Sequence, residues 1–224
     1  MDDKKSENII NDSIEKVMEQ YENDALNDIA RSAFIKKQVK DTSTETVNAL
    51  VKHIRSGNFL PREYELRIAH GRVDRVDTFE DGNNIYVKVI DYKSGNKVFN
   101  VTETFLGLQM QLMVYLKDTV DYIKKNNPDK NVYPAAGLYF HVYDPYVSEI
   151  DCEKAVSDFR KNNPDSELSD EELKKMAIEG ERFKAYRMSG LVAKEIEIVN
   201  AMDHNTITKT GSSAILPVNI TKSG

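Results

Sequence analysis

The stretch GRVDRVDTFEDGNNIYVKVIDYKSG, running from Gly71 to Gly95, decides the fold. It reads as two strands joined by a tight turn. Val73 to Phe79 make the first, Ile85 to Lys93 the second, and Asp81-Gly82-Asn83-Asn84 supplies the turn chemistry. Side chains alternate across a strand, so Tyr86, Lys88, Ile90 and Tyr92 share one face, and Val87, Val89, Asp91 and Lys93 share the other. Asp91 and Lys93 therefore close a face that is otherwise apolar, with Asp74 on the neighbouring strand able to project toward them. Charges in such a place must be desolvated, paired or metal-bound. A magnesium ion commonly takes one or two carboxylates plus the phosphates of its substrate. A lysine beside it stabilises charge on a scissile phosphate or orients the attacking water. The competing reading is a solvent-exposed hairpin with scattered charges, and spacing alone leaves both open.

Outward from this hairpin the chain alternates helical and extended patterns. Residues 1 to 11 are polar and expected to fray, and apolar spacing predicts a helix from Ser13 to Gln38, with Ser13 as its cap. A second helix is predicted from Thr44 to Ile54, ended by Ser56-Gly57-Asn58, and a strand from Tyr64 to Ala69 leads into Gly71. Beyond the hairpin, one long helix is expected from Thr102 to Lys125, with Leu108, Leu112, Tyr115, Leu116 and Val120 as its stripe and Met110 widening it. Gln111 and Tyr115 share a face of it. A glutamine inside an apolar stripe needs partners, so Gln111 is expected to reach the site end of the sheet and meet a water, a phosphate or the nucleic-acid backbone. Alternatively its amide fixes the helix on the sheet. Gln109 reads as ordinary.

Ala135 to Val142 reads as a buried strand, and Val147 to Ile150 as a brief extension of the sheet. A polar excursion from Phe159 to Asp170, short helices over 171–179 and 194–202, and short strands at Thr206–Thr208 and Ala214–Ile220 complete the chain. His53 and His141 read as structural and His70 as a turn residue without a chemical role. Arg72 projects with Asp74 and is a candidate phosphate contact, while Arg75 either neutralises Asp77 or meets phosphate. Three segments are expected: a helical one over 1–55, a core over 56–150, and an elaboration of the same domain over 151–224.

The order Gly71-Arg72-Val73-Asp74, then Asp91-Tyr92-Lys93-Ser94-Gly95, then Gln111-Leu112-Met113-Val114-Tyr115 resembles the nuclease domain of the RecB family, one of the PD-(D/E)XK nucleases. The fuller wording GRVDRVD, VIDYKSG and GLQMQLMVYL is most similar to the AddB branch, with further matches in AAGLYFHVYDP and in the segments FKAYRMSGL, NAMD and SSAILPV. The resemblance implies an α/β restriction-endonuclease-like fold, a mixed sheet flanked by helices, with an AddB-type C-terminal elaboration. It also implies a magnesium-dependent deoxyribonuclease, manganese being a substitute, that acts in double-strand break repair beside an AddA helicase–nuclease partner. Asp74 and Asp91 would hold the metal, Lys93 would serve the reaction, and Gln111 and Tyr115 would complete the surroundings. A further carboxylate usually precedes the Gly-x-x-Asp strand. Glu65, behind Phe59 and Pro61, fits the family's Phe-x-Pro-x-x-x-Glu wording better than Glu63. Family members of this branch are much longer and carry cysteines for a 4Fe-4S cluster. Cys152 does not match them, so the chain reads as a fragment whose cluster ligands lie elsewhere.

With 224 residues, 40% of them hydrophobic, the chain can bury one substantial core. Its single cysteine excludes an intrachain disulfide framework. No apolar run reaches transmembrane length and no signal segment opens the chain, so a cytoplasmic protein is expected. A net charge of −6 argues against a freestanding DNA-binding module, since backbone binding normally wants a basic footprint. It argues less against catalysis, because carboxylates hold cations that face phosphates. The alternatives are a catalytically silent DNA-binding or assembly domain of the same complex, and an unrelated hydrolase of small phosphoesters.

Overall fold

The computed structural model describes residues 3–21, 29–95, 98–206 and 211–220. Residue contacts divide the chain into two compact units, Met1–Val51 with Val142–Asp144, and Lys52–His141 with Pro145–Gly224.

The first unit is helical, built from α1 (Asp3–Tyr21) and most of α2 (Ile29–Arg55). The expected frayed start and the Ser13 cap are corrected: Ser13 lies inside α1, where its hydroxyl donates to the Ile9 carbonyl at 2.7 Å. Nor does a break separate two helices near residue 40. No glycine or proline stands between Ile29 and Arg55, so nothing in the backbone interrupts α2.

The second unit is a five-stranded mixed sheet flanked by helices. Its order is β1 (Leu60–Ile68), β2 (Gly71–Asp81), β3 (Asn84–Lys93), β4 (Asn131–His141), β5 (Ser189–Val192). The first three strands form an antiparallel meander. Asp81 pairs with Asn84 across a two-residue turn, where Gly82 takes a φ of 55°. β4 runs parallel to β3 and antiparallel to β5. A parallel pair needs a crossover, here α3 (Val101–Phe105) and α4 (Gln111–Asn126). Leu112, Tyr115, Thr119 and Ile123 are the buried stripe of α4. Leu112, Tyr115 and Ile123 join Val76, Val87, Val89 and Tyr139 in one core cluster. Each such large apolar side chain contributes about 1.5–3 kcal/mol when fully buried. Gly137 lets α4 lie close, since a Cβ there would stand 3.1 Å from Leu112 Cγ.

The single long helix expected from Thr102 is corrected to two. Gly107 turns the chain at φ 82°, and Leu108 and Met110, expected in the apolar stripe, are exposed. Gln109, which read as ordinary, causes the break. Its buried amide accepts from Asn100 N at 3.1 Å and donates to Val98 O at 3.4 Å and to Glu103 Oε2 at 2.5 Å.

On the opposite face of β3 lies a buried ion cluster. Arg75 donates to both Asp77 oxygens at 2.6 Å, and Lys88 Nζ stands 3.0 Å from Asp77 Oδ2. Phe59 lies 5.2 Å from Lys88 Nζ. His53, in the last turn of α2, sits edge-on to Phe140 and Phe183 at 5.5 and 5.3 Å, and neither ring nitrogen has a hydrogen-bond partner among the described residues. Burial first, then the charges of Lys88 and Arg75, push its pKa from 6.5 down to about 3. The folded ring is neutral while the unfolded ring titrates near 6.5, so this stabilising difference is complete above 6.5 and is lost as pH falls toward 3. Between pH 7 and pH 5 the loss is about 2 kcal/mol. Urea denaturation at the two pH values should show it, and His53→Phe should remove most of the difference. An undiminished slope in that variant would refute the assignment.

In the C-terminal part, Ser148 and Ser169 cap α5 (Glu149–Asn162) and α6 (Asp170–Ala185), the latter through a complete capping box. The expected sheet extension at 147–150 is thus corrected, because the Ser148 hydroxyl accepts the Asp151 N–H that opens a helix. α7 (Ile196–Met202) and a hairpin of β6 (Gly211–Ser212) and β7 (Asn219–Ile220) follow. The strand expected at Thr206–Thr208 falls mostly outside the described residues. Among those described, no helix is long and apolar enough to cross a membrane.

Candidate active site

The pairing of β2 with β3 carries Asp74 and Asp91 to one place. Val76 faces Val89 and Arg75 faces Ile90, so Asp74 and Asp91 lie one residue beyond the last pair, on the Val76–Val89 face by alternation. Asp74 Oδ2 accepts the Tyr92 N–H at 2.7 Å, which fixes its carboxylate beside the end of β3. Asp91 is buried, and Lys93 Nζ stands 2.5 Å from its Oδ2. The parallel register sets Tyr139 of β4 beside Asp91 and His141 beside Lys93. Lys93 Nζ lies 5.3 Å from the centre of the Tyr139 ring, and His141 Nδ1 meets Gly95 O at 2.8 Å where the chain leaves the strand.

Electrostatics keep this lysine charged. Partial burial lowers its pKa, but the hydrogen bond and charge of Asp91, helped by Tyr139 and Asp74, outweigh that and raise it above the ordinary lysine value. Burial and the Asp91 charge push the Tyr139 phenol up, so it stays protonated at neutral pH.

α4 delivers the other two candidates. Gln111 Nε2 donates to Tyr115 Oη at 2.9 Å. Tyr115 in turn lies against Gly71, where a Cβ would stand 2.8 Å from its hydroxyl and where φ is 150°. Only glycine suits that position. The expectation that Gln111 is buried in an apolar stripe is corrected: it is the first residue of α4 and exposed, with its amide oxygen free of that hydrogen bond. His70, expected at a turn without a chemical role, lies in the β1–β2 turn and holds α4 to it. Its backbone N–H and its Nδ1 meet Asp118 Oδ2 at 3.2 and 2.8 Å. That bond holds the Asp118 carboxyl below its ordinary pKa. Nothing in the sequence pattern marked Asp118, which occupies an inward helical position three residues beyond Tyr115.

Other expected residues are placed elsewhere. Arg75 as a nucleic-acid contact is corrected, because its side chain is 3% exposed and forms a bidentate pair with Asp77. Glu65 has a φ of 52° and pairs with Arg72 Nε at 2.7 Å, both side chains being largely solvent-exposed. Among the described residues no three His, Cys, Asp or Glu form a group that could hold a metal. Glu65 and Arg72 are engaged with each other. Cys152 is buried beneath α6, with its thiol 3.7 Å from Lys174 O.

Two carboxylates, one of them paired with a lysine, suit a hard divalent cation that completes its shell with water and substrate phosphate. The donor set of Asp74 and Asp91 fits magnesium or manganese and offers nothing to a thiophilic metal.

A family model described as the PD-(D/E)XK nuclease superfamily matches residues 1–203. Curated relatives, each named as one subunit of an ATP-dependent helicase/deoxyribonuclease, are similar along most of the chain. That of Clostridioides difficile (strain 630) is 32% identical over 220 residues, covering 89% of this chain and 17% of its own length. Those of Thermoanaerobacter sp. (strain X514) and Clostridium kluyveri (strain NBRC 12016) are 29% and 28% identical, covering 96% and 100% of this chain and 18% and 19% of their own. The chain thus spans less than a fifth of the length of these relatives.

Proposed function

The chain belongs to the PD-(D/E)XK nuclease superfamily, and we propose that it hydrolyses phosphodiester bonds of DNA with the aid of magnesium or manganese. The observation that carries this reading is the Asp91–Lys93 pair at 2.5 Å, set beside Asp74 at one end of the sheet.

Asp74 and Asp91 would hold the cation, which when bound supplies Lewis-acid polarisation of the phosphate and a more acidic water. Lys93 keeps its proton and is held by Asp91 and the Tyr139 ring. From there it opposes negative charge that grows on phosphate oxygens as the bond breaks. Gln111 orients through Tyr115 and keeps its amide oxygen for a water or substrate hydroxyl at the rim. Glu65, held by Arg72, would act only through solvent or substrate, and Arg72 reaches phosphate only by giving up that pair.

The names of the relatives support a place in a longer helicase–deoxyribonuclease subunit. An AddA-type partner and a role in cytoplasmic double-strand break repair belong to this proposal on the resemblance of the motifs alone. A 4Fe-4S cluster would then belong to segments other than this chain.

The test is cleavage of end-labelled single-stranded DNA by the chain with magnesium or manganese, against Asp91→Ala. Metal-dependent cleavage that drops at least about a hundredfold in the variant is the expected result. Calorimetric metal binding without any cleavage would instead favour the catalytically silent assembly domain.

A further inference from the structure

Between the lysine of the site and the helix that carries Gln111 stands a short apolar projection, 98–110. Phe105 is 89% exposed, Leu108 72% and Leu106 65%, with Val98 and Val101 exposed beside them. Such a cluster is costly to leave in water, and patches of this kind mark interaction sites.

The projection is held rather than loose. Asn100 caps α3 by accepting from Thr102 N and Glu103 N, the Leu108 N–H donates to Glu103 O at 2.8 Å, and the buried Gln109 amide ties Asn100, Val98 and Glu103 together. Both of its roots are anchored at the site. Phe99 packs 6.4 Å from the Tyr139 ring that lies under Lys93, and Gln111 follows directly with its bond to Tyr115. At the tip, Gly107 takes a φ of 82° with open space where a Cβ would stand, and Phe105, Leu106 and Leu108 around it are exposed.

The charges nearby say what this tip can hold. All four cations of β2 and β3 are engaged: Arg72 by Glu65, Arg75 and Lys88 by Asp77, Lys93 by Asp91. A nucleic-acid strand entering the site finds each of these cations already in an ion pair, so apart from Lys93 at the reacting group a phosphate grip there comes only by breaking a pair. Bases offer the remaining handle, because every base has an apolar face that stacks on an aromatic ring whatever its sequence.

We propose that the 105–108 tip is a base-stacking platform that positions single-stranded nucleic acid over the site, with Phe105 as the stacking ring. This rests on the nuclease reading above for what lies beneath the strand, but the contact itself needs no cleavage. Two consequences set it apart from a phosphate track. Binding depends weakly on salt, since few counterions are released, and it requires bases rather than backbone alone.

The test is equilibrium binding of a 2-aminopurine-labelled oligothymidine in calcium, for the chain and for Phe105→Ala, with an oligonucleotide of abasic sites as the comparison. Circular dichroism melts confirm that both fold, as expected for a ring so exposed. The expected result is a Kd weakened about fivefold or more by Phe105→Ala, no difference between the two proteins on the abasic strand, and a shallow salt dependence. Equal affinity of the two proteins for the base-bearing strand, or no binding by the parent chain, would overturn the proposal. Binding lost in Phe105→Ala without cleavage by the parent upholds the platform and removes the nuclease reading. Cleavage with unchanged affinity in the variant does the reverse.

Discussion

Replacing Asp77 by asparagine is expected to destabilise the chain by about 3–5 kcal/mol, a large part of the 5–15 kcal/mol typical of a domain. Asp77 is wholly buried, and it is the one anion between two buried cations, Arg75 and Lys88, whose side chains are 3% and 6% exposed. Burial alone would raise its pKa, but two hydrogen bonds from Arg75 and the charge of Lys88 hold it below the ordinary carboxylate value. Lys88 is pulled down by burial, with Asp77 opposing. Asparagine keeps the volume and removes the charge, so two cations remain with only amide, ring and the Tyr92 hydroxyl, which Arg75 reaches at 3.3 Å. Urea denaturation at pH 7 measures the loss. The triple change of Arg75→Met, Asp77→Leu and Lys88→Met should recover most of it, because an apolar trio of similar volume pays no desolvation. A loss under about 1 kcal/mol for Asp77→Asn would show that the cluster is solvated or that Lys88 is not paired there. The sign with pH follows from the depressed Asp77 pKa. Its stabilisation is present above the unfolded value of 3.8 and is lost as pH falls below that.

The hairpin was legible in the sequence because period-two alternation and a Gly-Asn turn act locally. Asp81 opposite Asn84, and Lys88 on the face away from Asp91, both follow from counting. The helix of the crossover was only half legible. Its stripe from Leu112 onward matches a 3.6 period, but Leu108 matches it too and is nonetheless exposed. What breaks the helix is tertiary. The Gln109 amide finds the backbone of Val98 and Asn100, and Gly107 takes a conformation open to glycine, so three hydrogen bonds outweigh one more helical turn. β5 escaped notice for a different reason. Four residues give too short a pattern, and Gly190 stands there because a Cβ would lie 2.1 Å from Gly137 O, a constraint set by a strand more than 50 positions away in sequence. The same holds at the site. Asp74, Asp91 and Lys93 converge by strand register alone, whereas Glu65 could be judged only from wording, and its backbone at φ 52° and its pairing with Arg72 set it apart from the other carboxylates. For Arg75 the sequence left pairing with Asp77 and contact with phosphate both open, and the side chain, on the face away from Asp74 by alternation, makes the pair with Asp77.

Lys93→Met is expected to separate cleavage from metal binding. If the ammonium opposes charge growing in the transition state, its removal should slow single-turnover cleavage of single-stranded DNA by about 10²–10³. Methionine retains the unbranched apolar stem and removes only the ammonium that stands 5.3 Å from the centre of the Tyr139 ring, so packing is little changed. Asp91 then loses the cation at 2.5 Å that competes with a metal for its oxygen. Calorimetric magnesium affinity is therefore expected to equal or exceed that of the parent chain. Asp91→Asn should behave oppositely, losing affinity and rate together, because it removes a ligand. The contrast matters more than either loss. A lysine that merely neutralises a buried aspartate would, once removed, leave the rate intact in saturating magnesium. Parental cleavage by Lys93→Met at saturating metal would thus assign Lys93 to structure and leave the two carboxylates as the whole of the site. A slow variant with tight metal binding would place the lysine in the chemistry.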